Sequence, residues 1–214
     1  MEITYLGHSA FKLRGKTATV VTDPYGEEVG FKFPKKIEAG IVTVSHDHKD
    51  HNAVSSVDGS PYIVKGPGEY EISGVGVVGF QTYHDKEKGA AKGKNTIYRI
   101  EMDGLVIVHL GDLGHVLSSS DVDALGSVDM LCIAVGATAL SLEEVQTCIT
   151  EIDPSIVLPM HYNTPAHDQN VFGSLSPLSA FLKQMGKDTV EPVAKLTMTK
   201  DKLPEEMQIV VFSA

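Results

Sequence analysis

Hydrophobic and polar positions follow one another in short runs along the first half of the chain, and these runs predict strands. Three of them, Glu2 to Leu6, Ala10 to Leu13 and Ala18 to Thr22, are separated by turn residues. The run Gly40 to Ser45 is rich in β-branched and apolar residues, as in a buried strand. Over residues 61–83, Val, Ile and Tyr alternate with glycines, which predicts several more short strands.

The pattern changes after a predicted hairpin that joins residues 96–102 to residues 105–109 at the turn Asp103-Gly104. An amphipathic helix then begins at Ser141, where Glu144 completes a capping-box pattern, and it ends before Pro154. The remaining predicted elements are a strand over 130–135, a strand over 155–159, a helix started by Ser176-Pro177 and ended at Met185, and a closing pair of strands over 195–199 and 208–212.

This order of elements, strands first and strand–helix–strand later, predicts two packed sheets with helices outside them. The fold class is therefore α/β, in the α+β sense. No break in composition marks a linker, so we expect one domain over residues 1–214.

Composition narrows the class of protein. The content of 42% hydrophobic and 21% charged residues is ordinary for a globular chain. The apolar runs are far too short to span a bilayer, and no secretory leader is recognisable, so we expect a cytoplasmic protein without a membrane partner. Cys132 and Cys148 form no CxxC pair and are expected to be buried thiols. The net charge of -10 argues against a nucleic-acid partner.

One segment concentrates metal-ligand residue types, because His46, His48, Asp50 and His51 lie within six consecutive positions. His46 and His48 are two apart directly after a predicted strand. In an extended chain their side chains leave on the same side and can bind one ion. Asp50 and His51 follow where the chain should turn, and they can bind a second ion. Two metals roughly 3.5–4 Å apart are a known hydrolytic arrangement.

Three further candidate ligands, His84, Asp112 and His161, each follow a predicted strand. Strand ends that meet at one rim commonly form an enzyme site, so we expect these side chains to join the first four. The carboxylate of Asp112 could bridge both ions. The predicted metal ligands are therefore His46, His48, Asp50, His51, His84, Asp112 and His161.

The segment HDHKDH resembles the HxHxDH signature of the metallo-β-lactamase superfamily, and the later candidate ligands occur in that family's order. The resemblance implies a four-layered αββα sandwich with the site at one edge of the sheets. Two-zinc β-lactamases place a cysteine near the position of Asp112, so antibiotic hydrolysis is not expected. The resemblance also implies two metal positions, one held by His46, His48 and His84, the other by Asp50, His51 and His161, with Asp112 bridging.

The segments TYLGHSAF and GKNTIYRIE…HLGDLGH are similar to a bacterial and archaeal branch near the ascorbate-phosphate lactonase and N-acylphosphatidylethanolamine phospholipase D types. This similarity makes His8 and His115 candidates for contacts with the metal ligands or the substrate. The alternative for His8 is a hydrogen bond to Asp23 or to the backbone. The loop Asp85 to Asn95 carries four lysines, and it is either a lid that offers cations to an anionic substrate or a solvated surface loop.

The residues lead to one expected mechanism. Two divalent metal ions, zinc first with manganese, iron and nickel as alternatives, would activate a water that attacks an ester, lactone or phosphoester of a small anionic substrate. The catalytic candidates are Asp50, which would orient the nucleophile or accept its proton, His115, which would protonate the leaving group, and His8. The alternatives are a di-iron redox enzyme or sensor on the same fold, a metal-dependent nuclease and a metal-binding protein without catalysis. Homo-oligomerisation is left open.

Overall fold

Two β-sheets face each other in the computed structural model, which describes residues 1–137 and 139–213. In these residues the strands are β1 Glu2–Gly7, β2 Ala10–Arg14, β3 Thr19–Thr22, β4 Ile41–Val44, β5 Tyr62–Lys65, β6 Gly68–Ile72, β7 Val75–Tyr83, β8 Lys94–Met102, β9 Leu105–His109, β10 Met130–Ala134, β11 Ile156–Met160, β12 Leu196–Thr197 and β13 Gln208–Ile209. The α-helices are α1 Ser119–Leu125, α2 Leu142–Ile152, α3 Gln169–Phe172 and α4 Leu178–Gln184, and 3-10 helices span Glu27–Val29, Val54–Ser56 and Lys200–Lys202.

Each sheet contains a group of parallel strands. The first sheet has the order β12-β1-β2-β3-β4-β5, and the second has the order β13-β11-β10-β9-β8-β7-β6. Strands β3, β4 and β5 are parallel, and so are β9, β10 and β11. Strand β7 runs the same way as β9, because both are antiparallel to β8. Parallel strands end at the same edge of a sheet, so the segments that follow them meet at one rim.

The buried core has three parts that correspond to the layers. Side chains such as Phe11, Ile100 and Leu158 fill the space between the two sheets. A second cluster packs the helices against the second sheet, and a third covers the first sheet with the 3-10 turns and Phe172. Each large aliphatic or aromatic side chain buried in this way contributes about 1.5–3 kcal/mol. These layers confirm the predicted αββα sandwich, with one outer layer reduced to short helices.

The helix predicted at Ser141 forms as expected. The Ser141 side chain accepts a hydrogen bond from the Glu144 backbone N–H, and the Glu144 carboxylate accepts one from the Ser141 N–H, which completes the capping box. The buried face of α2 includes Val145, Ile149 and Ile152 and packs on the second sheet. Helix α1 was not predicted, because its capping box uses Asp121 at the third position and few of its residues are apolar.

The predicted closing pair of strands is wrong. Strand β12 pairs antiparallel with β1 in the first sheet, whereas β13 pairs parallel with β11 in the second. Both runs have the extended pattern that predicts a strand, but that pattern does not choose the partner. The partner is chosen by packing between the two sheets. After β12 the chain continues past this apolar space and places residues such as Phe212 in the central core.

Three smaller expectations concern the whole chain. Cys132 and Cys148 are free and buried, as predicted. Among the residues that the structure describes, none of the helices combines the length and apolarity that a membrane span requires. The single-domain organisation stays a prediction.

Candidate metal centre

The ends of five strands meet at one rim and carry the polar residues of the candidate site. Asp23 follows β3 directly, and His46 lies two residues beyond the end of β4. His84 follows β7 directly, Asp112 lies three residues beyond β9, and His161 follows β11 directly. The chain topology therefore brings the predicted ligands from both sheets to the same place.

His46, His48 and His84 form the first group, in which ligand nitrogens lie within 4.8 Å of one another. The Ser45 hydroxyl donates to Asp23 Oδ2 at 2.5 Å and therefore accepts from His46 Nδ1 at 2.9 Å. His46 Nε2 is left with its lone pair, and it lies 3.1 Å from His48 Nδ1. The Ser45 hydroxyl, itself held by the Asp23 carboxylate, thus orients the His46 imidazole so that its ligand nitrogen faces the group.

The second group contains Asp50, His51 and His161, together with His8, again with ligand atoms within 4.8 Å. His51 Nδ1 donates to Asp23 Oδ2 at 2.8 Å, which leaves His51 Nε2 directed at the group, 3.5 Å from Asp50 Oδ2. His161 Nε2 lies 3.6 Å from the same carboxylate oxygen. The His161 backbone has a positive φ of 52°, and its N–H donates to His8 O at 2.8 Å.

Asp112 lies between the two groups. Its Oδ2 is 3.2 Å from His84 Nε2 in the first group and 3.4 Å from His161 Nε2 in the second, and its Oδ1 is 3.5 Å from His51 Nε2. The Asp112 backbone N–H donates to Asn95 Oδ1 at 3.1 Å, which fixes the approach of the chain. The Asp112 carboxylate thus lies within 3.5 Å of ligand nitrogens from both groups.

The donor atoms of the site fit divalent cations. His51 Nε2, His161 Nε2 and Asp112 Oδ1 are buried and have no hydrogen-bond partner among the residues that the structure describes. A buried polar atom without a partner costs about 1–3 kcal/mol, and a cation bound among several such atoms would satisfy them together. Imidazole nitrogen and carboxylate oxygen are ligands of zinc, iron and manganese.

The imidazoles around the site lower the pKa of its carboxylates and so favour their ionised form. Burial raises the pKa of Asp112, but His161 and His51 outweigh it and hold this pKa well below its usual range. Burial opposes ionisation of Asp50 and Asp23 as well, and neighbouring imidazoles again lower both pKa values. In Asp50 these are the imidazoles of His161, His51 and His8. The buried negative charge attracts a cation.

The two histidines predicted from the finer resemblance lie in different surroundings. His8 is brought into the second group, where its Nε2 is 3.1 Å from Asp50 Oδ2, and it does not bond Asp23. His115 is not among the side chains that line the metal cleft, and its Nδ1 donates to Val116 O at 3.0 Å. The role of His115 as the acid stays a prediction that the geometry does not favour.

A cleft of about 430 Å³ opens over the two groups and carries different chemistry on its sides. Val171, Phe172 and Leu175 form an apolar wall, and Lys92 lines the same cleft as the candidate ligands. Lys92 and His48 also line an adjoining cleft of about 600 Å³, together with Lys65 and Lys94. The site is thus reached through a region that combines apolar surface with ammonium groups.

The lysine-containing loop after His84 is held by its own hydrogen bonds. The Asp85 carboxylate accepts from the backbone N–H groups of Glu87, Gly89, Ala91 and Lys92, at 2.8, 2.8, 3.0 and 2.6 Å. These bonds oppose the opening expected of a lid. They fix the loop so that Lys92 stands at the cleft.

Two residues that contact side chains of the candidate site were missed as site residues. Asp23 was considered only as a possible hydrogen-bond partner of His8, although its place directly after β3 matches that of the other candidates. The second is His167, whose Nε2 forms a hydrogen bond with His8 Nδ1 at 3.2 Å. No motif marks His167, because only the fold of residues 161–167 brings it beside His8.

Comparisons with known proteins show which family this chain is similar to. The family model described as the beta-lactamase superfamily domain matches residues 2–161. A UPF0173 metal-dependent hydrolase from Thermococcus onnurineus is 26% identical over 195 residues, which cover 77% of this chain and 85% of the relative. Another from Korarchaeum cryptofilum is 30% identical over 192 residues, with 77% and 84% covered.

Among solved structures, one from Thermotoga maritima is described as a Zn-dependent hydrolase of the metallo-beta-lactamase superfamily. It is 32% identical to this chain, covers 99% of it and 97% of its own length, and superposes with a TM-score of 0.79. The segment that the family model matches, residues 2–161, contains the HDHKDH motif and all the later candidate ligands. The chain therefore belongs to the metallo-β-lactamase superfamily.

Proposed function

We propose that this chain is a metal-dependent hydrolase that uses a dinuclear metal centre to activate water against an ester, lactone or phosphoester of a small anionic substrate. The observation that carries the proposal is the place of Asp112 between two groups of ligand atoms, 3.2 Å from His84 Nε2 and 3.4 Å from His161 Nε2. A shared carboxylate is what a pair of ions needs, whereas a single ion would leave one group without a partner.

The two metal positions follow from the grouping of the ligand atoms. Asp112 would contribute a carboxylate oxygen to each position. The first position would be held by His46, His48 and His84, and the second by Asp50, His51 and His161.

Two divalent ions bound there would lower the pKa of a coordinated water and place positive charge beside the attacked group. The chain's own residues prepare that chemistry. Asp23 keeps His51 in the tautomer whose Nε2 faces the site. The Asp50 side chain is 18% exposed and lines the cleft, so its carboxylate can accept a proton from a nucleophile that enters there.

The walls of the cleft support an anionic substrate of modest size. Lys92 supplies an ammonium group next to His48 and His84, and the Asp85 bonds keep its backbone in place. Val171 and Leu175 offer apolar surface to the remainder of the substrate. The scissile group would then lie over Asp112, between the two metal positions.

The test is metal analysis combined with a hydrolysis screen. We expect about two metal ions per chain and hydrolysis of one or more lactones, esters or phosphoesters, lost on chelation and restored by zinc, manganese, iron or nickel. Asp112→Ala should lose both the second ion and the activity. Asp47→Ala is the matched control, since Asp47 is exposed and bonds Lys65 and Asn52 instead of the cluster. Hydrolysis that survives chelation or Asp112→Ala would contradict the proposal.

The same preparation tests the alternative functions. A di-iron redox enzyme would show iron and a visible absorption spectrum without hydrolysis. A nuclease would cleave generic RNA, and a purely metal-binding protein would bind the ions and hydrolyse nothing in the screen. Each of these results would replace the proposed function.

A further inference from the structure

Two buried histidines outside the proposed ligand set form a hydrogen-bonded pair behind Asp50. His8 Nε2 lies 3.1 Å from Asp50 Oδ2, and His8 Nδ1 lies 3.2 Å from His167 Nε2. His8 is 1% exposed and His167 is 4% exposed. The ring of Phe172 packs against both, at centroid distances of 5.1 and 5.5 Å. The pair is therefore buried and packed beside the second group of ligand atoms.

By distance alone, His8 could be a metal ligand. Its ligand nitrogen lies within 4.8 Å of those of Asp50, His51 and His161, as close as a coordinating atom would be. A ring nitrogen that carries a hydrogen has no lone pair for a metal, however. The tautomer of His8 decides between the two roles.

A backbone amide fixes that tautomer through His167. The Thr164 backbone N–H donates to His167 Nδ1 at 3.1 Å, and an amide N–H can only donate. His167 Nδ1 is therefore an acceptor, so the single hydrogen of the neutral ring is on Nε2. His167 Nε2–H then donates to His8 Nδ1, which places the hydrogen of His8 on Nε2, opposite Asp50 Oδ2.

We propose that His8 is a positioning residue that donates a hydrogen bond to the metal ligand Asp50, and that His167 and the Thr164 amide set its tautomer. The role of Asp50 as a ligand rests on the proposed function. Hydrogen-bond partners of metal ligands orient the ligands, and their loss typically weakens metal affinity or activity about 10–100-fold. His8 and His167 thus connect the metal position to the backbone of the loop after β11.

Substitutions at His8 separate the two roles. His8→Gln keeps an amide N–H that can reach Asp50, but an amide is a poor substitute for an imidazole ligand. His8→Ala removes both. We expect His8→Ala to weaken binding of the second metal by about 10–100-fold and His8→Gln to recover most of that loss. His167→Ala should also weaken metal binding, because His8 Nδ1 loses the N–H donor that keeps it unprotonated and so keeps the hydrogen of His8 on Nε2.

The readouts are the affinity of metal, measured by competition with a chromophoric chelator, and the absorption spectrum of the Co(II)-loaded protein. Removing a positioning residue should leave the Co(II) coordination bands in place, whereas removing a ligand changes their energy and intensity. Asp47→Ala is carried as the exposed control, and thermal unfolding checks that each variant folds. Nitrogen-15 NMR of the zinc-loaded protein should show the Nε2–H tautomer for both His8 and His167.

Three results would overturn the inference: an Nδ1–H tautomer at His8, altered Co(II) bands in both His8 variants, or unchanged metal affinity in a folded His8→Ala protein. None of these measurements needs a substrate. A protein that binds two metals and hydrolyses nothing would therefore remove the proposed function while leaving the role of His8 to be decided by its own data.

Discussion

Asp23 Oδ2 accepts a hydrogen bond from His51 Nδ1 at 2.8 Å, and both side chains are completely buried. The same carboxylate accepts from the Ser45 N–H at 2.8 Å and from the Ser45 hydroxyl at 2.5 Å. Ser45 in turn accepts from His46, so one carboxylate orients an imidazole in each of the two ligand groups. Asp23 therefore orients one candidate ligand of each group from a fully buried position.

Replacing Asp23 should therefore weaken metal binding without touching a proposed ligand. Asp23→Ala leaves the His51 Nδ1–H and the Ser45 N–H buried without an acceptor, at about 1–3 kcal/mol for each group. We expect a metal affinity about 10–100-fold lower and a reduced free energy of unfolding in urea. Asp58→Ala is a control of the same kind at an exposed site. Unchanged metal affinity in Asp23→Ala would mean that the ligands orient themselves.

Gly111 is a position where only glycine fits, next to Asp112. Its φ is +57°, and a Cβ there would lie 2.6 Å from the Ser45 Cβ and clash with Asn95 Oδ1. Gly111→Ala combines positive-φ strain of about 1–2 kcal/mol with displacement of the groups that place Asp112. We expect loss of stability and of metal binding together.

The control for Gly111 is Gly104→Ala in the β8–β9 turn. Gly104 has a φ of +77°, and nothing lies within 4 Å of its added Cβ. The Gly104→Ala protein should therefore show the backbone strain without the clash. We expect its free energy of unfolding to fall and its metal content to stay the same. Equal effects of the two substitutions would show that backbone strain alone explains Gly111.

Lys92 should act on substrate binding more than on the chemical step. On an anionic substrate found by the screen, Lys92→Ala should raise KM about 10-fold or more, since a hydrogen bond to a charged group contributes about 1.5–3 kcal/mol. The matched control is Lys88→Asn, which removes a charge from the same loop and tolerates the positive φ of 56° at that position. An equal change in KM for both variants, or none for Lys92→Ala, would exclude a direct contact.

The two cysteines should not react while the protein is folded. Burial raises the pKa of Cys148 to about 11 and that of Cys132 still further, and thiolate is the reactive form. A thiol reagent at pH 8 should therefore titrate no cysteine in the native state and two in denaturant. A fast reaction of one thiol in the native protein would show that its strand or helix opens locally.

The local sequence pattern was enough to predict part of the fold and part of the candidate site. The hexapeptide from His46 to His51 follows a β-branched strand, so its donors are close together in any structure that keeps the strand. The capping box at Ser141 is likewise decided within four residues. The αββα class followed from the order of the elements together with the family resemblance.

Relationships across strands were decided only by the tertiary structure. Whether β12 and β13 pair with each other or with β1 and β11 depends on which apolar faces close the central core, and an extended run of residues does not encode its partner. His167 contacts His8 across 159 positions of sequence. Asp23 stands beside His51 because β3 and β4 are parallel neighbours. Candidate ligands can thus be recognised in the sequence from their residue types. The hydrogen bonds that orient them join distant segments and exist only once both sheets have packed.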